Sequence, residues 1–174
     1  MPAESKTLAR IAELLSAIDL LCREGKIVPA LLLIYSTIDI LSSLVRKNSD
    51  QDTKKTDFID WVQTYMLPHP DIQISAVDLY AARCGMLHAL SPTSNLSRGQ
   101  AAKEIAYACD AQTASEARRT LTARGKDGKV AVVSIPAIIE CFLLAGEKFT
   151  RALGSDASLQ QRFFANEKHV FRVE

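Results

Sequence analysis

The chain has 174 residues, enough for one domain with a substantial core. Apolar residues make up 48% of it and aromatic residues only 6%, which favours a helical core of Leu, Ile, Val and Ala over a sheet sandwich. The 21 basic and 20 acidic side chains nearly balance, which argues against a surface that coats nucleic acid broadly. Any phosphate-bearing partner must therefore meet a local cluster of cations.

Hydrophobic periodicity predicts two long helices at the start of the chain. Apolar residues recur every three or four positions from about residue 5 to residue 24, and Gly25 stands where a helix ends. The second helix is predicted to carry Pro29 in its first turn and to end near Arg46. Its apolar run is long enough to suggest a membrane span, but an unpaired Asp39 would be costly at the centre of a bilayer. We therefore expect a buried helix and no membrane.

Cysteine usage and the amino terminus indicate the compartment. The four cysteines show no CxxC spacing, which is typical of buried thiols in a reducing cytosol. The first ten residues lack an apolar signal core, so we expect a cytoplasmic protein. Cys84 and His88 are four positions apart and could share a metal ion, but nothing nearby supplies a clear second pair. Neither a metal nor a cofactor is expected.

The rest of the chain alternates helical and irregular segments. A solvated loop is followed by a short amphipathic segment at 58–67, and Ser75 with Asp78 matches a capping box that starts a helix ending at Pro92. Residues 103–134 are interpreted as a small excursion with one or two short strands and a helical piece from about Ser115. A long helix capped by Ser134 follows and stops at Gly154, and a final short helix lays Phe163 and Phe164 on the bundle. The predicted fold is all-α, an up-down helical bundle with this excursion, in a single domain of residues 1–174.

One helix of this set combines an apolar stripe with a charge. Within "ISAVDLYAARCGMLHALSP", Leu79, Arg83, Met86 and Leu90 fall on one stripe. The second face is made mostly of small residues, among them Cys84 and Gly85, and presents His88. A guanidinium on an apolar stripe needs a partner or a route to water. Asp39, the only acid in the apolar run of the second helix, is the predicted partner of Arg83.

The segment Arg83-Cys84-Gly85-Met86-Leu87-His88 resembles the Arg-x4-6-His motif of the HEPN superfamily, the "higher eukaryotes and prokaryotes nucleotide-binding" helical domains. The similarity includes the helix order and covers about residues 5–154. One departure is Cys84, because many nuclease members carry a polar residue after the arginine. The resemblance implies a HEPN-like bundle and a metal-independent endoribonuclease of the toxin or defence type, with Arg83 and His88 as catalytic residues in a homodimer. It also implies RNA or a nucleotide as ligand and an antitoxin-type protein as a possible partner.

The residues themselves fit phosphoryl chemistry. Imidazole groups exchange protons near neutral pH, and a guanidinium presents a fork of donors to phosphate oxygens. On an ideal helix Arg83 and His88 lie about 140° apart, so we expect a two-fold dimer in which each copy supplies both groups. Gly85 is then predicted to let the two helices come close.

Further basic residues follow the motif. Arg98 and Lys103 are candidate phosphate-binding residues at the rim of the site, although solvated surface residues give the same pattern. The run at 118–129, "RRTLTARGKDGK", is either a patch that tracks a nucleic-acid backbone or a soluble face. The alternative function is a non-catalytic helical module that binds a nucleotide or a partner protein, such as a nucleotidyltransferase.

Overall fold

A computed structural model of the chain describes residues 6–47, 52–91 and 93–168. The protein is mostly helical, at 70%, and eight α-helices and a small two-stranded parallel sheet lie within the described residues. The predicted fold class is therefore confirmed. The chain divides into two compact units, one made of residues 1–58 and 149–174 and the other of residues 59–148.

The helices are α1 (Lys6–Arg23), α2 (Ile27–Leu44), α3 (Lys55–Trp61), α4 (Ala76–Ala89), α5 (Asn95–Arg98), α6 (Ala111–Ala123), α7 (Ile135–Ser155) and α8 (Ala157–Glu167). The strands are β1 (Glu104–Ala108) and β2 (Val130–Ser134). A π-helical turn, Val62–Met66, continues α3.

The first unit contains a helical hairpin of α1 and α2. Gly25 adopts a left-handed φ of 65°. The Lys26 amide donates to the Leu21 carbonyl at 2.8 Å, and the Gly25 amide donates to that of Cys22 at 3.1 Å. This is a Schellman ending, so the predicted role of Gly25 is confirmed. Helix α2 is long and apolar enough to cross a membrane by length and composition, and half of it is buried inside the protein.

Helix α8 closes the carboxyl end of α2 through one side chain. The buried Asn166 amide group donates to the carbonyls of Leu44 and Arg46, both at 3.1 Å. The last carbonyls of a helix have no partner within that helix, and this side chain satisfies that of Leu44. Phe163 is buried as predicted, whereas Phe164 is 53% exposed and the prediction for it is wrong. Adjacent helical positions point about 100° apart, and on α8 only Phe163 of the two lies on the buried face.

The second unit contains a β-α-β element in the predicted excursion. Strands β1 and β2 pair in parallel, with Glu104 opposite Val130, and α6 forms the crossover. Helix α6 begins earlier than predicted because the Asp110 carboxylate caps it, accepting from the Thr113 amide at 2.7 Å. This hydrogen bond also lowers the pKa of Asp110. Ala114 of α6 packs with Ala108 and Val132 of the two strands.

The boundaries of α4 and α7 follow their capping residues. Ser75 and Asp78 form the predicted capping box at the start of α4. The Ser134 hydroxyl accepts from the Ala137 amide at 3.4 Å, which confirms Ser134 as the cap of α7. Pro92, the predicted end of α4, lies outside the described residues; the helix ends at Ala89.

Candidate functional site

Helix α4 carries the predicted catalytic residues, and a buried carboxylate fixes its start. One oxygen of Asp78 accepts from the backbone amide of Ser75 at 2.9 Å and from its hydroxyl at 2.8 Å. The other accepts from the amide of Lys103 at 2.6 Å, directly before β1. Asp78 therefore completes the capping box of α4 with Ser75 and also ties the helix to the sheet. The sequence predicted only the cap, because nothing in the pattern identifies a partner 25 positions away.

Arg83 lies in the middle of α4 and is half-buried. Its guanidinium carbon stands 5.9 Å from the centroid of the Tyr80 ring, within the range of a cation–π interaction. One guanidinium nitrogen lies 3.9 Å from the sulfur of Cys84. The predicted partner, Asp39, belongs to α2 in the other compact unit, and its pairing with Arg83 stays a prediction.

His88 lies in the last turn of α4 and is exposed. The stripe on which Arg83 was placed points inward only in its first half. Leu79 is fully buried, whereas Leu90 is 63% exposed, so the expectation of a continuous core stripe is wrong at its end. Leu90 takes the left-handed conformation, with φ at 47°, and this turns the chain back along the helix.

Gly85 provides space for that returning chain. A Cβ atom on Gly85 would meet the carbonyl oxygen of Thr93 at 3.0 Å and that of Ser91 closer still. The Ser91 amide also donates to the Gly85 carbonyl at 3.1 Å. A close backbone approach was predicted at this glycine, but from a second helix. The structure shows that the approaching backbone is the chain's own, because the left-handed Leu90 folds it over the helix.

A polar turn follows and positions Arg98. The Ser91 and Thr93 hydroxyls lie 3.1 Å apart, and Ser94 and Ser97 form a capping box around the one-turn helix α5. Sequence reasoning missed α5, since four residues carry no periodicity. The guanidinium of Arg98 is exposed; it donates to the Asn95 side chain at 2.5 Å and to the Thr93 hydroxyl at 3.4 Å. Arg98 is therefore linked through Thr93 to the part of α4 around Gly85.

Lys103, the second predicted rim residue, lies at the other end of the helix. Its amide is held by Asp78, and its ammonium donates to the Asp127 carbonyl at 2.9 Å. Asp78 and His88 are ten positions apart, which is about 15 Å along a helix axis. The Arg98 guanidinium contacts Thr93, in the segment that packs on Gly85, whereas the Lys103 amide is bonded to Asp78 in the first turn of α4.

A large cleft lies on the Lys103 side. Its volume is about 980 Å³, and its walls come from the start of α4, the end of α5, the start of β1 and the turn between α6 and β2. Four cationic side chains line it: Lys103, Arg124, Lys126 and Lys129. We call this cavity the basic cleft. The sequence had identified the run that contains three of these residues but not the cavity beside it.

Among residues 6–47, 52–91 and 93–168, no group of three or more His, Cys, Asp or Glu side chains could hold a metal ion. Comparison with known proteins found no matching family model, curated protein or solved structure. Function is therefore inferred from the geometry of α4 and of the basic cleft.

Proposed function

We propose that the protein is a metal-independent endoribonuclease that acts as a homodimer, with Arg83 and His88 of α4 as its catalytic residues. The observation that supports this most directly is the position of His88. Its imidazole is exposed in the last turn of a helix whose end is held in place by the packing of Ser91 and Thr93 on Gly85. A side chain that transfers protons must reach solvent and substrate while its backbone stays fixed.

The proposed reaction is transesterification at a ribose phosphate. The 2′-hydroxyl attacks the adjacent phosphorus, a P–O bond forms, and the bond to the 5′-oxygen breaks. His88 accepts the proton of the 2′-hydroxyl, and a second imidazolium donates a proton to the leaving 5′-oxygen. The products are a 2′,3′-cyclic phosphate and a 5′-hydroxyl. Arg83 neutralises the charge that develops on the non-bridging oxygens, for which its planar fork of donors is suited.

Two copies of the chain would supply what one copy lacks. A single imidazole cannot be the base and the acid in the same step, and His88 is the only histidine on α4. A two-fold axis beside α4 would bring a second imidazole and a second guanidinium to a common crevice. Leu90, exposed at the end of the helix, offers apolar surface for that contact. Arg98, which contacts Thr93 beside Gly85, would contact a flanking phosphate.

The test is cleavage of a labelled RNA in the presence of EDTA. We expect the wild-type protein to cleave and the His88→Ala variant to lose about 10²–10⁴-fold in rate, the usual contribution of general acid–base catalysis. His69→Ala is the matched control, because it removes an imidazole that serves only a local turn, where its Nδ1 accepts from the Asp71 amide at 3.3 Å. Loss of cleavage on chelation, or unchanged cleavage in His88→Ala, would rule the proposal out.

A second candidate function is favoured by the environment of Arg83. Its guanidinium stacks on Tyr80 and contacts Cys84, which is compatible with a purely structural cation. In that case the domain is a non-catalytic module that binds a nucleotide or a partner protein, for example a nucleotidyltransferase. An Arg83→Lys variant separates the two functions, because lysine keeps the charge and loses the fork. If the protein is a nuclease, Arg83→Lys should fold normally and cleave RNA much more slowly than the wild type. If it is a non-catalytic module, neither the wild type nor the variant should cleave RNA.

A further inference from the structure

The basic cleft concentrates positive charge in a chain that is almost neutral. The whole sequence has a formal net charge of +1. Among the described residues that line this cavity, four side chains are cationic, and the carboxylates are those of Asp78 and Glu104. Both oxygens of Asp78 already accept hydrogen bonds from Ser75 and Lys103. Asp127, in the same turn as the cations, lines a neighbouring 220 Å³ pocket instead.

The turn that carries three of these cations has a defined conformation. Gly125 takes a left-handed φ of 62°, and the Lys126 amide donates to the Leu121 carbonyl at 2.9 Å, which is a Schellman ending of α6. The Lys103 ammonium then holds the Asp127 carbonyl, and the Glu104 amide donates to the Lys129 carbonyl at 2.9 Å. The backbone of the turn is therefore fixed at both ends, and this reduces the ordering cost of binding.

The cationic groups of the turn are available to a ligand. Arg124, Lys126 and Lys129 are all exposed, and within residues 6–47, 52–91 and 93–168 none of them takes part in an ion pair. Lys103 is different, because its ammonium is engaged by the turn itself. It contributes charge to the cleft and supports the other three.

The lining indicates the chemical class of the ligand. Sites for a nucleotide base are mostly apolar or aromatic, because the base stacks on a ring. Among the described residues that line the basic cleft none is aromatic, and the apolar ones are small, such as Ala101, Ala102 and Val130. Cations without a stacking platform match phosphate groups, and a cleft of about 980 Å³ admits more than one of them. We propose that the basic cleft binds the sugar–phosphate backbone of RNA through Arg124, Lys126 and Lys129, without base specificity.

This inference deepens the proposed function by adding a substrate-binding surface about one helix length from His88, yet its test does not require catalysis. Binding of an oligouridylate and an oligoadenylate of equal length is measured by fluorescence anisotropy in the His88→Ala background, so that the probe stays intact. The triple variant Arg124→Ala/Lys126→Ala/Lys129→Ala is compared with Lys26→Ala/Lys148→Ala/Arg151→Ala, which removes the same charge from exposed positions outside the cleft.

We expect the cleft variant to bind both probes about ten- to a hundredfold more weakly, and the control triple variant to bind within about threefold of its parent. The binding constant should also depend less on salt. The negative slope of its logarithm against the logarithm of the salt concentration should become shallower by about 2, since each lost contact with a single strand contributes about 0.7. Glu104→Gln should strengthen binding, because it removes a negative charge from the wall of the cleft. The single variant Lys126→Glu should weaken binding in the same direction as the triple variant.

Equal weakening by the two triple variants, a strong preference for one base, or no binding of either probe would overturn the inference. Binding that depends on the cleft while the wild type fails to cleave would leave the cleft assignment intact and refute the nuclease. Cleavage that depends on His88 but not on the cleft residues would support the nuclease and refute the cleft assignment. The two hypotheses therefore fail separately.

Discussion

The carbonyl oxygen of Thr93 lies 3.0 Å from the position that a Cβ atom would occupy on Gly85, eight residues earlier in the chain. The helix that carries Arg83 and His88 is thus covered at its small face by the segment that follows it. Gly85 is therefore required by the packing of its own chain, independently of any partner.

The first prediction concerns this contact. Gly85→Ala should lower the free energy of unfolding by about 1–3 kcal/mol, because the new methyl group meets backbone atoms that cannot rotate away. The intrinsic helix preference for Ala over Gly, about 1 kcal/mol, works in the opposite direction and is smaller than a severe clash. Urea denaturation measures the difference.

Gly146→Ala is the matched control, since Gly146 lies within α7 and a Cβ there meets nothing within 4 Å. It should gain up to about 1 kcal/mol from helix preference alone. If both variants proved equally stable, the packing of residues 91–93 on Gly85 would not be the reason for a glycine at this position.

The second prediction concerns Asp78. Asp78→Ala should destabilise the protein by about 2–4 kcal/mol, because it removes the carboxylate side of the capping box and leaves the Lys103 amide without its acceptor. Ser75→Ala removes only the serine side of the capping box and should cost about 1 kcal/mol. Thermal denaturation of the two variants, followed by circular dichroism, compares them. Equal losses would mean that the bond between Asp78 and Lys103 contributes nothing.

Local signals in the sequence predicted much of this fold, and contacts between distant residues were not predictable. The ending at Gly25 and the caps at Ser75 and Ser134 each depend on a few neighbouring residues, so the pattern identified them. The pairing of Glu104 with Val130 joins strands 26 positions apart, and periodicity does not specify a partner. The turn at Leu90 was missed for a different reason: a left-handed conformation is usually occupied by glycine.

The same distinction applies to the candidate site. Arg83 and His88 were found from a local motif, and both lie on α4 as expected. That Arg98 contacts Thr93 while Lys103 is bonded to Asp78 depends on the course of the chain after the helix, which no spacing rule gives. The basic cleft is also a tertiary feature, because α5, β1 and the turn after α6 must come together to form it.

The third prediction uses the buried thiol of Cys141, which donates to the Met66 carbonyl at 3.1 Å. Burial raises the pKa of this thiol from 9.0 to about 12. The folded state therefore holds the proton more tightly than the unfolded state, and the stabilisation is complete below about pH 9 and lost as the pH rises towards 12. The free energy of unfolding of the wild type should accordingly fall over this range more steeply than that of Cys141→Ala.

Thiol labelling provides an independent check of the same environment. Cys109 is exposed and should react with a thiol reagent in the native protein, whereas Cys141 should react only after unfolding. Parallel pH profiles for the wild type and Cys141→Ala, or rapid native labelling of Cys141, would contradict the burial of this group.

The last prediction tests whether the proposed catalytic site is shared between two copies. Arg83→Ala and His88→Ala homodimers should each be inactive, since one lacks every guanidinium and the other every imidazole of the site. A heterodimer formed by co-expression has one guanidinium and one imidazole. It keeps one of the two proton-transfer groups, so it should cleave RNA faster than either homodimer but more slowly than the wild type. Sedimentation of the purified mixture confirms that it is dimeric. The control is the heterodimer of the wild type with Arg83→Ala/His88→Ala, in which the same chain supplies both functional groups. A different affinity tag on each chain separates both heterodimers from all homodimers. Activity in the first heterodimer but not in the control would place the two groups in trans, whereas a first heterodimer as inactive as its parent homodimers would mean that each chain must supply both groups itself or that the site is not catalytic.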